Sequence, residues 1–274
     1  METTLPAVDF DRLEREADQL RAAFNVGDPI RHIVIDAMLR DEVARRAFEA
    51  FPSPEQMAIA FEGLVEVKNA EERIERLDPV FQAIFGDLRS ERFLGWLQRV
   101  TGIADLSPDP ELHGGGLHQG PDGSYLDIHA DFNLHPRLGL YRRLNVLIYL
   151  NPAWNQTWGG YLELWARDMS ECRASIEPIL NRCVIMETHD RAFHGYRQLH
   201  LPEGTTRKSV ASYYYSPHRS EAQSAESHNT LFQLRPQERK ATGARHFLRR
   251  LEALAPAGMR PVVRGLRRLL GLGD

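Results

Sequence analysis

The stretch Asp127-Ile128-His129-Ala130-Asp131 lies in a run of β-favouring residues whose side chains alternate, so His129 and Asp131 project to one face of a strand. Two ligands then reach one ion. An imidazole and a carboxylate at this spacing, joined by a second imidazole from a later strand, make a facial triad that holds ferrous iron and leaves three positions open. The candidate for that second imidazole is His194, in Ala192-Phe193-His194-Gly195. A His-x-Asp alone is a weak signal among eleven histidines, and a solvated pair at a strand end is its plainer reading. His135, in Leu134-His135-Pro136, reads as strand exit, and His189 belongs to a turn, Thr188-His189-Asp190. Both are expected to be structural or solvent-exposed. His118 follows three glycines (Gly114, Gly115, Gly116) that permit close backbone approach to something bound, so His118 and Gln119 are candidate pocket wall, with core packing the alternative.

The elements that must position these groups fall into two regions. Apolar residues Phe10, Leu13, Ala17, Leu20 and Phe24 recur at helical spacing, and helical patterns return at 41–51, 79–88 and 91–100, with a short strand at 32–35. After the Pro-rich turn at 107–110, β-rich runs appear at 125–131, 144–150, 161–165, 183–187 and 209–215. Short strands separated by Gly, Pro, Asn and Asp clusters indicate an antiparallel sandwich or jelly roll rather than a βαβ fold. The expected fold is therefore mainly β with flanking helices (α+β) and a mostly helical N-terminal region.

With 274 residues, 42% hydrophobic and 26% charged, the chain is long enough for a sizeable core and too apolar to be disordered. Residues 1–237 are expected to form one domain, with helical support at 1–106 and the jelly-roll core at about 107–237. The remaining 238–274 read as a basic helical extension holding nine Lys/Arg against three Asp/Glu, which leaves the body acidic, 25 against 35. An acidic body argues against nucleic-acid binding. Arg260, Arg264, Arg267 and Arg268 flank an apolar stripe of Val262, Leu266, Leu269 and Leu270, which suits a membrane surface; docking on the acidic body or a partner is the preferred reading. Two cysteines are too few for a disulfide scaffold, and neither a secretory leader nor a membrane-length apolar run is evident, so a cytoplasmic location is expected.

Five elements occur in a fixed order: His129-Ala130-Asp131; Asn145 to Asn151, ending in Tyr149-Leu150-Asn151; Gly159-Gly160-Tyr161-Leu162-Glu163-Leu164; His194; and Arg207-Lys208-Ser209. In this order they resemble the prolyl-hydroxylase-like branch of the iron(II) and 2-oxoglutarate-dependent dioxygenases, over roughly 112–236. The resemblance implies a double-stranded β-helix core with Fe(II) on His129, Asp131 and His194. It also implies 2-oxoglutarate as cosubstrate, O2, and ascorbate as a supporting reductant. The far carboxylate of 2-oxoglutarate calls for a bidentate cation, which Arg supplies better than Lys. Arg207 takes that family position, with Ser209 two residues on and Tyr149 as the phenol donor; the loop at 199–206 is longer than in some relatives. Alternation adds Asn145 to the Tyr149 face and sends Lys208 to the opposite side, towards solvent.

The implied reaction is hydroxylation of an unactivated carbon with release of succinate and CO2. Because Asp131 fills the position that halide occupies in related halogenases, hydroxylation or desaturation is favoured over chlorination. The substrate is expected to be a small molecule or an amino-acid or peptidyl group, with Trp154, Asn155, Gln156 and Trp158 before Gly159 as candidate entrance residues. A zinc-dependent hydrolase using the same ligands would leave Arg207, Ser209 and Tyr149 without a purpose. A non-catalytic jelly-roll binding module would be expected to have lost a ligand.

Overall fold

The computed structural model describes residues 5–239; the expected basic extension lies almost wholly outside them. Its N-terminal part contains α1 (Phe10–Val26), β1 (His32–Ile35), α2 (Asp41–Glu49), β2 (Ile59–Glu62), β3 (Glu66–Glu71), α3 (Pro79–Arg89) and α4 (Glu91–Thr101). Three of the helices begin on a side-chain cap. Asp9 caps α1 by accepting the Arg12 N–H, Asp78 caps α3 ahead of Pro79, and Ser90 caps α4, which Gly102 closes in the left-handed conformation. Trp96 of α4 donates its indole N–H to the Leu13 carbonyl at 2.9 Å, so the buried faces of α1 and α4 lock together.

The rest is β: β4 (Ser107–Pro108), β5 (Gly116–Gly120), β6 (Tyr125–Ala130), β7 (Tyr141–Tyr149), β8 (Leu162–Trp165), β9 (Cys172–Ile176), β10 (Arg182–Glu187), β11 (His194–Tyr196), β12 (Arg207–Ser216) and β13 (Leu231–Phe232), followed by the short α5 (Pro236–Arg239). All described pairings are antiparallel. The main path runs β1-β10-β7-β12-β5-β3-β6-β11-β8-β9. It is a jelly roll of two half-sheets, β10-β7-β12-β5 and β6-β11-β8-β9, joined edge to edge by β3. β1 extends the first half, so the N-terminal region is more than helical support. β2, β3, β4, β5, β9, β11 and β13 have no counterpart among the expected runs; β4, β11 and β13 are only two or three residues long, β3 is interrupted by Glu, Lys and Asn, and β5 is bounded by glycines.

Alternation gives β7 and β12 two different buried faces. Leu144, Val146, Ile148, Val210 and Tyr214 face the helices in the main core, and Tyr214 donates its hydroxyl to the Leu88 carbonyl of α3 at 2.8 Å. Burying each such aliphatic side chain contributes about 1.5–3 kcal/mol. Asn145, Leu147, Tyr149, Arg207, Ser209 and Tyr213 face the other way and line a cavity between the half-sheets.

Two close approaches shape that cavity. Between the pairs His194–His129 and Tyr196–Leu126, β6 carries one residue more than β11, a bulge that pushes its backbone towards Gly195. A Cβ on Gly195 would stand 2.7 Å from the Leu126 carbonyl oxygen and 2.8 Å from that of Asp127. Gly116, at φ +86°, has the Glu71 carbonyl oxygen 2.2 Å from where its Cβ would be. That glycine admits β3 against β5, so the close approach expected of the glycine run at 116 is to a strand of the protein itself.

Gly195→Ala should therefore destabilise the fold by about 1–3 kcal/mol, the range for forcing an atom into a packed site. Gly86→Ala, at an exposed position of α3 with nothing near its Cβ, should stabilise by up to about 1 kcal/mol. Urea unfolding of both variants checks the pair, and equal midpoints would contradict the bulge contact.

Candidate metal and cosubstrate site

His129 and His194 face each other across the β6–β11 ladder, and Asp131 follows directly on the end of β6. Their ligand atoms all lie within 4.8 Å of one another. Each histidine uses Nδ1 on a backbone carbonyl, His129 on Asp127 and His194 on Ala192, both at 2.9 Å. That bond places the proton on Nδ1 and leaves the Nε2 lone pair free. The two Nε2 atoms each lie 3.6 Å from an Asp131 oxygen. Burial, reinforced by His129, pushes the His194 pKa down to about 4, so its imidazole is neutral and ready to bind at neutral pH.

Asp131 is itself held in place. Asn145 Nδ2 donates to Asp131 Oδ2 at 2.8 Å, Arg142 Nη2 lies 3.2 Å from Oδ1, and Arg142 also donates twice to Asn145 Oδ1. Burial disfavours the carboxylate, but Arg142 first, with His194 and His129, outweighs it and holds the carboxyl well below the usual range. Arg142 is in turn stacked on Tyr213 at 3.6 Å and Phe132 at 4.8 Å. Asn145 lines the cavity as expected, and its amide joins Asp131 to Arg142 in one clamp.

Arg207 opens β12 from the cavity side. Its Nε donates to the Gly160 carbonyl at 2.7 Å, and its guanidinium lies between the Tyr149 and Tyr196 rings at 4.9 and 4.3 Å. Beside it the Tyr149 hydroxyl is buried with no hydrogen-bond partner, and burial raises its pKa against the opposing pull of Arg207. A buried donor left open next to a buried cation is the arrangement that a ligand carboxylate completes. The donor set of two imidazoles and one carboxylate fits a divalent metal with open positions, and Arg207 with Tyr149 fits the far carboxylate of 2-oxoglutarate. All five share one cavity of about 990 Å³.

Other expected residues distribute as follows. Ser209 and His118 occupy the same cross-strand row and line the cavity, His118 with Nε2 3.1 Å from the Gly114 carbonyl oxygen. Burial first, then Lys68 and Arg207, push the His118 pKa down to about 3. Gln119 touches the cavity wall, but its side chain donates to Thr206 at 2.8 Å, and it is in register with Lys208. Its side chain therefore belongs to the opposite side from His118. Lys208 also points away from the cavity, though not into solvent: it donates to Thr206, lies against Phe48 and Phe51, and burial lowers its pKa. Trp158 does not line the cavity. It meets Trp154 edge-on at 5.6 Å and packs behind Tyr196 with Leu199 and Leu201. The 199–206 loop is fastened there, with Leu201 N–H on Asp122. His135 has both ring nitrogens engaged, one with Asp109 and one with the Arg137 and Leu138 N–H groups; His189 is buried and accepts the Arg191 N–H.

Arg142, Lys68 and Phe232 are the site residues that sequence reasoning missed. Arg142 has the wrong parity for the Asn145 face, and only a bulge at Arg143, visible where Tyr214–Leu144 is followed by Tyr215–Arg142, turns it inward. Phe232 sits 16 residues past the end of β12, yet β13 pairs with β6 and brings its ring 5.5 Å from that of His129. The strap before it is tied down by Asn133, which donates to Glu226 O and accepts from His228 N, and by Asp190, which takes Ser224 N and His228 Nε2.

Residues 115–215 match the family model of the 2OG-Fe(II) oxygenase superfamily. The prolyl 3-hydroxylase OGFOD1 of Mus musculus is 26% identical over 194 residues, 69% of this chain; the match spans a third (33%) of the mouse protein. Two solved structures share the fold. A Pseudomonas putida prolyl-4-hydroxylase matches with TM-score 0.53 at 13% identity, covering 72% of this chain and 99% of its own. A Trichoplax adhaerens prolyl hydroxylase, solved with a hypoxia-inducible-factor peptide, matches with TM-score 0.52 at 17% identity, covering 75% and 91%. The matched span contains every one of the five residues placed around the cavity above, His129, Asp131, Tyr149, His194 and Arg207, so it is the segment carrying the site that is similar to the 2OG-Fe(II) oxygenase superfamily.

Proposed function

We propose that the protein is an iron(II)- and 2-oxoglutarate-dependent hydroxylase acting on an amino-acid or peptidyl substrate. The observation that carries this is the open triad of His129, Asp131 and His194 in one cavity with a buried, partly unsatisfied Arg207–Tyr149 pair. Bound iron would supply the oxidising chemistry, coupling the decarboxylation of 2-oxoglutarate to succinate with hydroxylation of a substrate carbon. The protein supplies positions. Nε2 of both histidines and one oxygen of Asp131 would hold the ion on one side and leave the cavity side open. Arg207 and the Tyr149 hydroxyl would take the far carboxylate with charge-assisted bonds, the guanidinium kept in plane by its aromatic neighbours. Leu147 and Leu162, also at the cavity wall, limit water there. The prolyl hydroxylases among the relatives support an amino-acid-type substrate. The same proposal treats 1–237 as one catalytic unit in the cytoplasm.

Succinate formation from 2-oxoglutarate under added iron tests the reading. His129→Ala, Asp131→Ala and His194→Ala should each abolish it, since loss of one ligand in three loosens the ion and distorts what remains. Retained turnover in the His194 variant would contradict the assignment.

Arg207 and Lys208 give a second test on adjacent residues of opposite faces. Arg207→Ala should raise the KM for 2-oxoglutarate by at least about tenfold, the effect of losing a charged bidentate contact. Lys208→Ala, which loses only the contacts behind the sheet, should stay within about threefold. Titrations of 2-oxoglutarate with both proteins, folding checked by circular dichroism, decide between the two faces.

A further inference from the structure

β3 carries a charged pair that neither the triad nor Arg207 uses. Glu66 and Lys68 are two residues apart on the strand bridging the half-sheets, so they share a face, and both line the cavity. Lys68 Nζ lies 3.1 Å from Glu66 Oε2, and the ring of Phe61, its partner on β2, stands 5.0 Å from the ammonium. Among the described residues Glu66 is the only acceptor for this ammonium, which leaves two N–H groups open, and the other Glu66 oxygen receives no donor. With 13% and 22% of their side chains still accessible, these open positions face the cavity rather than sealed core. Burial disfavours the ammonium, but Glu66, with Tyr213 and Tyr196, raises the Lys68 pKa above its ordinary value, so the lysine remains charged.

We propose that the Lys68–Glu66 pair is the subsite for the zwitterionic end of a free α-amino acid, Lys68 taking its carboxylate and Glu66 its ammonium. This rests on the iron and 2-oxoglutarate reading of the cavity and names the substrate class within it. A lone anion at this place would meet the Glu66 carboxylate, and a lone cation the Lys68 ammonium. A zwitterion meets both with charge-assisted bonds and adds no net charge to a half-buried site. An internal peptide residue offers the pair only neutral amide groups, which bind such partners more weakly. The far carboxylate of 2-oxoglutarate has its donors already in Arg207 and Tyr149.

The full-length protein loaded with Ni(II) and 2-oxoglutarate, which does not turn over, is titrated calorimetrically with each proteinogenic L-amino acid and with its N-acetyl amide. At least one amino acid should bind, and its N-acetyl amide at least about tenfold more weakly. Lys68→Met and Glu66→Gln should each weaken that amino acid by at least about tenfold, while Lys68→Arg, which keeps the cation, stays within about fivefold. In Lys68→Met the affinity for 2-oxoglutarate itself, measured on the Ni(II) protein, should change less than about threefold. Binding of the N-acetyl amides as tightly as the free acids, or of no amino acid at all, would overturn the proposal in wild-type protein alone. A Lys68→Met protein that loses 2-oxoglutarate instead would overturn it by assigning the lysine to the cosubstrate. Wild type that takes up no 2-oxoglutarate would overturn the underlying reading and this one with it.

Discussion

A single buried carboxylate, Asp131, sets the conditions for everything around it. Its two oxygens face two imidazoles and also receive Asn145 and Arg142. Taking a carboxylate out of water is expensive unless it is paired and hydrogen-bonded, and here the pairing comes from a guanidinium that is itself fixed between aromatic rings. The clamp leaves the carboxylate no freedom to rotate away from the histidines. A metal arriving at this site meets ligands already oriented, each histidine held through Nδ1 on a backbone carbonyl with Nε2 turned towards Asp131.

The sheet is bent to make that convergence possible. A bulge in β6 sets the offset between the metal histidines and the Leu126–Tyr196 pair, and a second in β7 turns Arg142 towards Asp131. Each extra residue changes which side chains face inward, and Gly195 is the residue small enough to lie against the first. β3, admitted against β5 by Gly116, joins the two half-sheets and thereby adds Glu66 and Lys68 to the cavity wall. The strap ending in β13 pairs with the end of β6, and Arg235 just beyond it is fixed to Glu163 at 2.8 Å.

How much of this was legible in the sequence depends on whether a regular period applied. Where alternation was unbroken it placed residues well: His129 with Asp131, Arg207 with Ser209, and Tyr149 with Asn145 all share the faces expected of them. Arg207 and Lys208 separate as alternation requires, although Lys208 ends against Phe48 rather than in water, because α2 covers that side of the sheet. His118 and Gln119 both reach the cavity wall, but as adjacent residues of one strand they send their side chains to opposite faces, that of Gln119 to Thr206. Arg142 was hidden by its bulge, and β3 by a composition rich in Glu, Lys and Asn, which reads as solvated strand or loop until its neighbours are known. Trp158 looked like an entrance residue from its type and loop position. Its ring finds other aromatic and leucine side chains instead, a destination that depends on long-range packing.

Whether this cavity holds a metal ion and 2-oxoglutarate together on these residues can be read from a crystal structure of the protein grown without oxygen in Mn(II) and 2-oxoglutarate. The ion should lie about 2.1 Å from Nε2 of His129 and His194, with one oxygen of Asp131 completing the protein ligands. The far carboxylate of 2-oxoglutarate should sit on Arg207 and the Tyr149 hydroxyl. An ion bound elsewhere, or a carboxylate seated on Lys68 with Arg207 left unengaged, would contradict this assignment.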